Sequence, residues 1–581
     1  MRFYFILKHI KKILFCFSFF VLSSILTIKT FYPIYISKEI IIPYGIHPFD
    51  ICSKNPELWL YIKIIYICIF VFSNFIISNF IYIRILSKIT KVFNFSTITS
   101  NSINNKKFKN HSKNFINSLH LLIGFDEDRK TNIYIPESGL YQNFLITGTI
   151  GSGKTSSAMY PFTRQLLEYN SNNLDKKLGI LILDAKGNYY NQVKKYAKQF
   201  NLLNDLIVIE LNSNVFYNPL HKPNLKPQIL ANRLKTILLL FSENNTESYW
   251  LDKAEQIICE AIKLCRLYNN GYVTFLELHK LITNPNYYNE KIQILRNLFI
   301  NSKFSKSQIY ELNACLDFFE KEFFSLDSRT KNILISEITR ITNTFISDYD
   351  VMSTFCSPKS KLTFNTFDTV LESGKIVVLN INISEYNMLS KIIATYLKLD
   401  FQTEIMTRLS KNISKTSAFI CDEYDKFASK TDGEFFSLSR EAKCINIVST
   451  QSYSSLKSTL KDDSSVKVII QNLINKIWFR TDDSFTIEDA QKQLGKEEKE
   501  KISKSISESA KETKFNYITN SLNSENSNIS ETFSSYTQND FIFESNFFTQ
   551  NLETFTALTF LSNGNKIYPP KKLKMFPYFK K

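Results

Sequence analysis

Gly148-Thr149-Ile150-Gly151-Ser152-Gly153-Lys154-Thr155 is a complete G-x4-G-K-[ST] loop. Asn143-Phe-Leu-Ile-Thr147 in front of it reads as a short buried strand, and the chain from Ser156 onward reads as a helix. A loop in that setting lies at a helix N-terminus, where unpaired backbone N–H groups and the helix dipole hold phosphate. Gly148, Thr149, Gly151, Ser152 and Gly153 would cradle it; Lys154 would reach the β- and γ-phosphates of a nucleotide, and the Thr155 hydroxyl would ligate Mg²⁺. The whole chain of 581 residues has only 13 glycines, and three of them fall within six positions here. The context on both sides makes an α/β fold around a parallel sheet the expectation.

Such a loop needs a carboxylate on a neighbouring strand to help hold Mg²⁺ and a second one to take a proton from water. Ala418-Phe-Ile-Cys421-Asp422-Glu423 is an apolar strand ending in two acids, so Asp422 would serve the metal and Glu423 the water. Gly179-Ile-Leu-Ile-Leu183-Asp184 is also an apolar strand ending in Asp, but Ala185, Lys186 and Gly187 follow with no second acid. Asp422 is therefore preferred, with Asp184 as the alternative. Ile445-Asn-Ile-Val-Ser449 is a further short strand that delivers Thr450, Gln451 and Ser452 at its C-terminal end, where ligands of open parallel sheets bind. Gln451 there would sense the γ-phosphate or orient water. Arg440, eleven residues earlier, would act as an arginine finger across a subunit interface. Taken alone, a single Arg is most often a solvated or ion-paired side chain, and a single Gln a turn residue.

Between Lys154 and Asp422 the chain is far longer than strand and helix alternation requires. Residues 226–345 read as an inserted all-α domain: Leu251, Ala254, Ile258, Ala261, Ile262 and Cys265 form an apolar stripe at helical spacing, and Ile229–Phe241 and Ile309–Phe324 behave alike. Strands resume at Lys375-Ile-Val-Val-Leu-Asn380, followed by a helix over 389–408. The nucleotide-binding domain is thus expected in two parts, 116–225 and 346–581. Its polar stretch 496–545 reads as partly disordered or loosely extended, and Thr554–Leu561 as a last strand before a basic tail.

Composition bounds the function. Hydrophobic residues are 44% and charged residues 22%, which excludes wholesale disorder. The formal net charge of +17 invites a nucleic-acid reading, but residues 1–125 carry 15 basic and 3 acidic residues and residues 566–581 carry six Lys. The body between them is close to neutral, so the charge alone does not argue for DNA. Nine Cys show no C-x-x-C spacing, which argues against a metal cage or a disulfide framework.

The basic N-terminal region has its own pattern, a membrane anchor over 1–115. Sixteen uncharged residues, 13–28, and twenty more, 64–83, read as transmembrane helices; a signal peptide is the other reading of the first. Arg2, Lys8, Lys11 and Lys12 precede the first span, and Arg84, Lys88 and Lys91 follow the second. Both ends are therefore expected in the cytoplasm, with 29–63 as an external loop.

With two N-terminal spans, the glycine loop, the apolar-Asp-Glu strand and Ser449-Thr450-Gln451-Ser452, the chain resembles the coupling proteins of type IV secretion systems, the TraG/TraD-like ATPases of conjugation. Asp184-Ala185-Lys186-Gly187-Asn188 resembles the family's Asp-Pro-Lys-Gly-Glu motif, and Asn218-Pro219-Leu220 and Trp250 complete the ordered set. The resemblance implies a RecA-like P-loop domain with an inserted all-α domain, working as a hexameric ring at the cell membrane. It implies ATP and Mg²⁺ as cofactors, and DNA, a relaxase or relaxosome and secretion-channel proteins as partners. Carried over by position, Lys154 and Thr155 form the phosphate-loop pair, Asp422 and Glu423 the acidic pair, Arg440 the finger and Gln451 the sensor. Ala185 and Asn188 depart from the family pattern and put a catalytic role for that loop in question.

Other readings remain alongside. The same motor exporting effector proteins is a sibling. A nucleotide-binding receptor without hydrolysis is opposed by the intact Lys154, Asp422 and Glu423. An ABC-type transporter lacks its Leu-Ser-Gly-Gly-Gln signature here, and a chromosome translocase is disfavoured by the helical insertion.

Overall fold

The computed structural model describes residues 20–25, 68–69, 71–74, 77, 118–241, 248–300, 305–364, 366–411, 415–510, 514–516, 521–523 and 527–579. The chain divides into two units, Met1–Asn117 and Ser118–Lys581. In the first, residues 20–25 and 71–74 are helical. The expected spans 13–28 and 64–83 otherwise lie outside the described residues, as does the loop 29–63. Among the described residues no helix is long and apolar enough to cross a membrane.

The second unit is built on one sheet. Its strands in chain order are β1 (His120–Asp126), β2 (Thr131–Pro136), β3 (Phe144–Thr147), β4 (Gly179–Asp184), β5 (Leu206–Ile209), β6 (Ile376–Leu379), β7 (Ser417–Asp422), β8 (Cys444–Thr450) and β9 (Asn475–Trp478). Two more paired strands, β10 (Lys496–Ala510) and β13 (Ser527–Phe541), stand outside it, with the short β11 (Lys514–Asn516) and β12 (Ser521–Asn523) pairing between them. The strands β14 (Thr556–Phe560) and β15 (Lys571–Lys574) return to the sheet. The spatial order is β2-β1-β15-β14-β9-β3-β8-β7-β4-β6-β5. From β9 to β5 every neighbouring pair is parallel; β14, β15, β1 and β2 extend the other edge antiparallel.

Period-two alternation within each central strand feeds two cores. Leu145, Leu181, Leu183, Phe419 and Cys421 face one layer of helices. Phe144, Ile146, Ile180, Ile182, Ala418 and Ile420 face the other, where Phe162, Leu166, Tyr189 and Val193 meet them. Short continuous apolar runs buried on both faces are what parallel strands require, and they are why these strands were legible.

Among the described residues the stretch from Pro227 to Phe355 is built of helices, beginning with Pro227–Phe241 and Ser248–Tyr268. Their apolar stripe residues Leu251, Ala254, Ile258 and Cys265 share one continuous core with the sheet face. The helix Asn387–Ser410 joins the two regions through buried charges. Its Asp400 pairs with Arg233 at 2.9 Å and also with Lys222, while its Lys398 pairs with Asp432 at 2.6 Å. Buried pairs of this kind fix position rather than add much net stability.

The polar stretch differs from its expectation. Lys496–Ala510 and Ser527–Phe541 form an antiparallel ribbon, with Lys496 opposite Phe541 and Ala510 opposite Ser527. Lys501 pairs with Asp540 at 2.8 Å, and Lys499 lies 3.5 Å from Glu544. The composition that reads as loose chain is that of a two-stranded ribbon, which has no core to bury and needs few apolar residues.

Candidate functional site

The phosphate loop leaves β3 at Thr147, which lies in register with Thr450 of β8 and Trp478 of β9. Gly151 and Gly153 have φ of +77° and +101°, a region closed to most side chains, and a Cβ added at Gly151 would meet nothing within 4 Å. The loop is braced from behind. The Thr149 N–H donates to the Arg480 carbonyl at 2.8 Å, and the Phe555 N–H donates to the Ser152 carbonyl at 3.2 Å. A Cβ at Gly153 would come within 2.6 Å of the Phe555 ring, so the close approach requires glycine.

Lys154 is buried, and its ammonium donates to the carbonyls of Gly148 and, at 3.3 Å, Thr149. Burial lowers its pKa, and the Asp422 carboxylate opposes that. The Thr155 hydroxyl donates to Asp422 Oδ2 at 2.8 Å. The other Asp422 oxygen accepts from the Ser449 hydroxyl. The strand β8, inserted between β3 and β7, thus supplies a hydroxyl that fixes the acid.

Glu423 follows at once, with φ +52° and ψ +47°. A left-handed turn at a non-glycine residue costs energy, and such residues cluster at functional sites. Its N–H donates to Asp422 Oδ1 at 3.2 Å and to Ser449 Oγ at 3.3 Å. Its carboxylate pairs with Lys186 at 2.7 Å. Two residues on, Asp425 accepts from the Thr450 hydroxyl at 3.1 Å.

Asp184 lies in register with Asp422 at the end of the adjacent strand β4. It is occupied with its own loop: its carboxylate accepts from the N–H groups of Lys186, Asn188 and Tyr189 at 3.1, 3.0 and 3.1 Å. Burial raises its pKa, and the nearby Asp422 charge adds to the effect. Burial works to lower the Lys186 pKa, but the hydrogen bond and charge of Glu423 outweigh it and hold it above its ordinary value.

Lys154, Thr155, Asp422 and Glu423 are therefore brought together, and Gln451 follows Thr450, which lies in register with Thr147 at the start of the loop. Arg440 is not with them. It is exposed on the turn that precedes Cys444, at the N-terminal end of β8, the opposite edge of the sheet from this chain's own loop. The sequence reading assigned no role to Ser449, Lys186, Asp425, Arg480 or Phe555. Only strand register could find Ser449 and Lys186, because each acts on a residue of the neighbouring strand.

The hydroxyl of Thr155 and the carboxylate of Asp422 are hard oxygen donors suited to Mg²⁺, which keeps several waters and needs few protein ligands.

Residues 417–538 match the family described as "TraM recognition site of TraD and TraG". Over that segment the chain is similar to TraG and TraD. The TraG/TraD match begins at β7, so it includes Asp422, Glu423, Arg440 and Gln451 and runs into the polar ribbon. No curated protein matches the chain. Among solved structures, the unbound monoclinic form of the bacterial conjugative coupling protein TrwBdeltaN70 is 13% identical, with a TM-score of 0.50 over 78% of this chain and 88% of that one. Its trigonal form in complex with sulphate is 14% identical, with a TM-score of 0.50 over 79% and 94%. TrwB in complex with ADP and Mg²⁺ is 13% identical, with a TM-score of 0.48 over 76% and 87%. At these identities the TrwB likeness is one of fold.

Proposed function

We propose that the chain is a membrane-anchored ATPase that recruits substrate to a type IV secretion channel and couples ATP hydrolysis to conjugative DNA transfer. The observation that carries the reading is the contact of Thr155 with Asp422 at 2.8 Å, with Glu423 next in the chain at the C-terminal edge of a parallel sheet. This is the arrangement that nucleoside triphosphate hydrolysis needs: a phosphate cradle, a metal-holding pair and an adjacent base.

The residues divide the work. Backbone N–H groups of 148–155 and the Lys154 ammonium bind the phosphates of ATP, for which Lys154 exchanges its contacts to Gly148 and Thr149 for phosphate oxygens. Thr155 and Asp422 hold Mg²⁺, which when bound neutralises charge on the β- and γ-phosphates. Ser449 keeps the Asp422 carboxylate in place. Glu423 takes the proton of the attacking water, and Gln451 senses the γ-phosphate. Arg440, on the far edge of the sheet, would reach the phosphates of a neighbouring copy, which makes a ring, most simply a hexamer, part of the proposal.

The spans 13–28 and 64–83 anchor the chain in the cell membrane, with its N-terminus and main domain in the cytoplasm. The division into an anchor, 1–115, a nucleotide-binding domain, 116–225 and 346–581, and an inserted helical domain, 226–345, places cargo contacts on the helices. DNA, a relaxase or relaxosome and channel proteins are the partners proposed, supported by the TraM-recognition match over 417–538.

The test is ATP hydrolysis by the full chain, with and without single-stranded DNA, beside Lys154→Ala. Hydrolysis that DNA stimulates and the substitution abolishes supports the reading. Lys154-dependent hydrolysis indifferent to DNA would move the cargo to protein, and no hydrolysis would leave a nucleotide-binding receptor.

A further inference from the structure

Four carboxylates, Asp184, Asp422, Glu423 and Asp425, gather at one edge of the sheet, and each is held differently. Asp184 is taken up by backbone N–H groups, Asp422 by the hydroxyls of Thr155 and Ser449, and Asp425 by Thr450 and by Lys426 at 3.1 Å. The carboxylate of Glu423 is held by an ion pair from outside its own strand, Lys186 Nζ at 2.7 Å from Oε1.

That lysine is 55% exposed while Glu423 is 11% exposed. An exposed lysine on a mobile loop would gain little from such a pair, because ordering two long side chains costs as much as the contact returns. The loop under Lys186 is not free to move. Asp184 ties three of its N–H groups, and Gly187, at φ +71°, lies so close to Asn382 that a Cβ there would sit 3.1 Å from the Asn382 Cα. Lys186 is thus presented from a fixed turn to the one acid at this edge that neither hydroxyls nor backbone hold.

We infer that Lys186 is a positioning residue for Glu423: its ammonium fixes the carboxylate at the sheet edge, so that the base meets the attacking water in one orientation. This rests on the ATPase reading above. In that reaction water attacks the γ-phosphorus, its proton passes to Glu423, and ADP leaves with the electrons of the broken bond. Lys186 takes no part in the exchange of atoms and only limits where the base can be. A base that wanders samples the productive geometry less often, which lowers turnover and leaves nucleotide affinity alone.

The test measures steady-state hydrolysis and fluorescent-nucleotide affinity for the full chain carrying Lys186→Met, Lys186→Arg, Glu423→Gln, or Lys186→Met with Glu423→Gln. Lys186→Met is expected to lower kcat about 10- to 100-fold, with the nucleotide Kd within about twofold of wild type. Lys186→Arg keeps the cation and restores most of the rate. In the Glu423→Gln background, Lys186→Met should reduce the residual rate by less than about twofold, since the two act as one unit. A wild-type rate in Lys186→Met, weaker nucleotide binding at unchanged kcat, or equal losses in both backgrounds would each overturn the positioning role. Wild-type protein without Lys154-dependent hydrolysis overturns the ATPase reading itself, and this role with it.

Discussion

Asp184 and Asp422 end adjacent parallel strands in direct register, yet only Asp422 faces the phosphate-loop threonine. Burial, together with the repulsion between two acids this close, raises the Asp184 pKa, and the three N–H groups of its own turn offset part of that cost. An amide keeps one acceptor oxygen and turns an NH₂ group toward backbone donors. Asp184→Asn should therefore lower stability by about 1–3 kcal/mol and loosen the turn that carries Lys186. Chemical denaturation checks the first effect, and an unchanged midpoint would show that the turn holds without the acid.

The buried pair of Lys398 and Asp432 has no exposure on either side chain. Lys398 also donates to the Phe427 carbonyl at 2.7 Å and to Ser429 Oγ at 2.9 Å, so it pins the segment that follows Glu423. Lys398→Met leaves Asp432 buried without its counter-charge and is expected to cost about 3–5 kcal/mol. The measurement is the urea midpoint. A loss below about 1 kcal/mol would mean that the site relaxes or admits water.

His221 packs against Tyr272 in a tilted arrangement with ring centroids 4.8 Å apart, and its Nδ1 has no hydrogen-bond partner. Burial, with Lys359, Lys222 and Arg266 nearby, lowers its pKa from 6.5 to about 4. The folded state then binds fewer protons than the unfolded state between those two values, so this contribution to stability is complete above the unfolded pKa and is lost as pH falls toward the folded one. His221→Phe should flatten the decline of the thermal midpoint over that window. An equally steep decline in the variant assigns it to other groups.

Gly153→Ala combines a left-handed φ with a clash against Phe555. Stability should fall by about 1–3 kcal/mol, and Phe555→Ala in the same chain should return only part of it, because the backbone strain remains. Full recovery in thermal unfolding would locate the whole cost in the ring.

Arg440→Ala should leave the thermal midpoint unchanged, since the side chain is exposed, while lowering hydrolysis. Mixing Arg440→Ala chains with Lys154→Ala chains should restore part of the rate, because one supplies an intact loop and the other an intact finger. Mixtures no more active than their components would remove the arginine from the reaction.

The ribbon of β10 and β13 pairs only with itself in the sheet register. Replacing residues 500–537 with Asn-Gly should keep the fold, as that dipeptide closes a two-residue hairpin. A thermal midpoint lowered by more than about 2 °C, roughly 1 kcal/mol or more for a unit of several hundred residues, would mean that the ribbon supports the body.

The central strands were readable because burial on both faces leaves a run such as Ile180-Leu-Ile-Leu183 with no polar interruption. The helices from Pro227 onward were readable from their stripe. The short strands Leu206–Ile209 and Asn475–Trp478 were not, because four residues carry too little pattern. The glycine loop and the acidic pair could be named from residues alone. The partners that hold them could not: Ser449 meets Asp422 across two strands and Lys186 meets Glu423 across two loops, and such pairings exist only once the sheet has its order.

That order also sets a timetable. The loop at 148–155 leans on the carbonyl of Arg480 and the N–H of Phe555, and the Tyr578 N–H donates to Ser156 at 2.9 Å. A growing chain emerging from the ribosome would have made its phosphate cradle more than three hundred residues before the pieces that brace it. The nascent chain should therefore carry an unbraced phosphate loop until the residues around Phe555 and Tyr578 have been made, so the loop takes its final shape only late in synthesis.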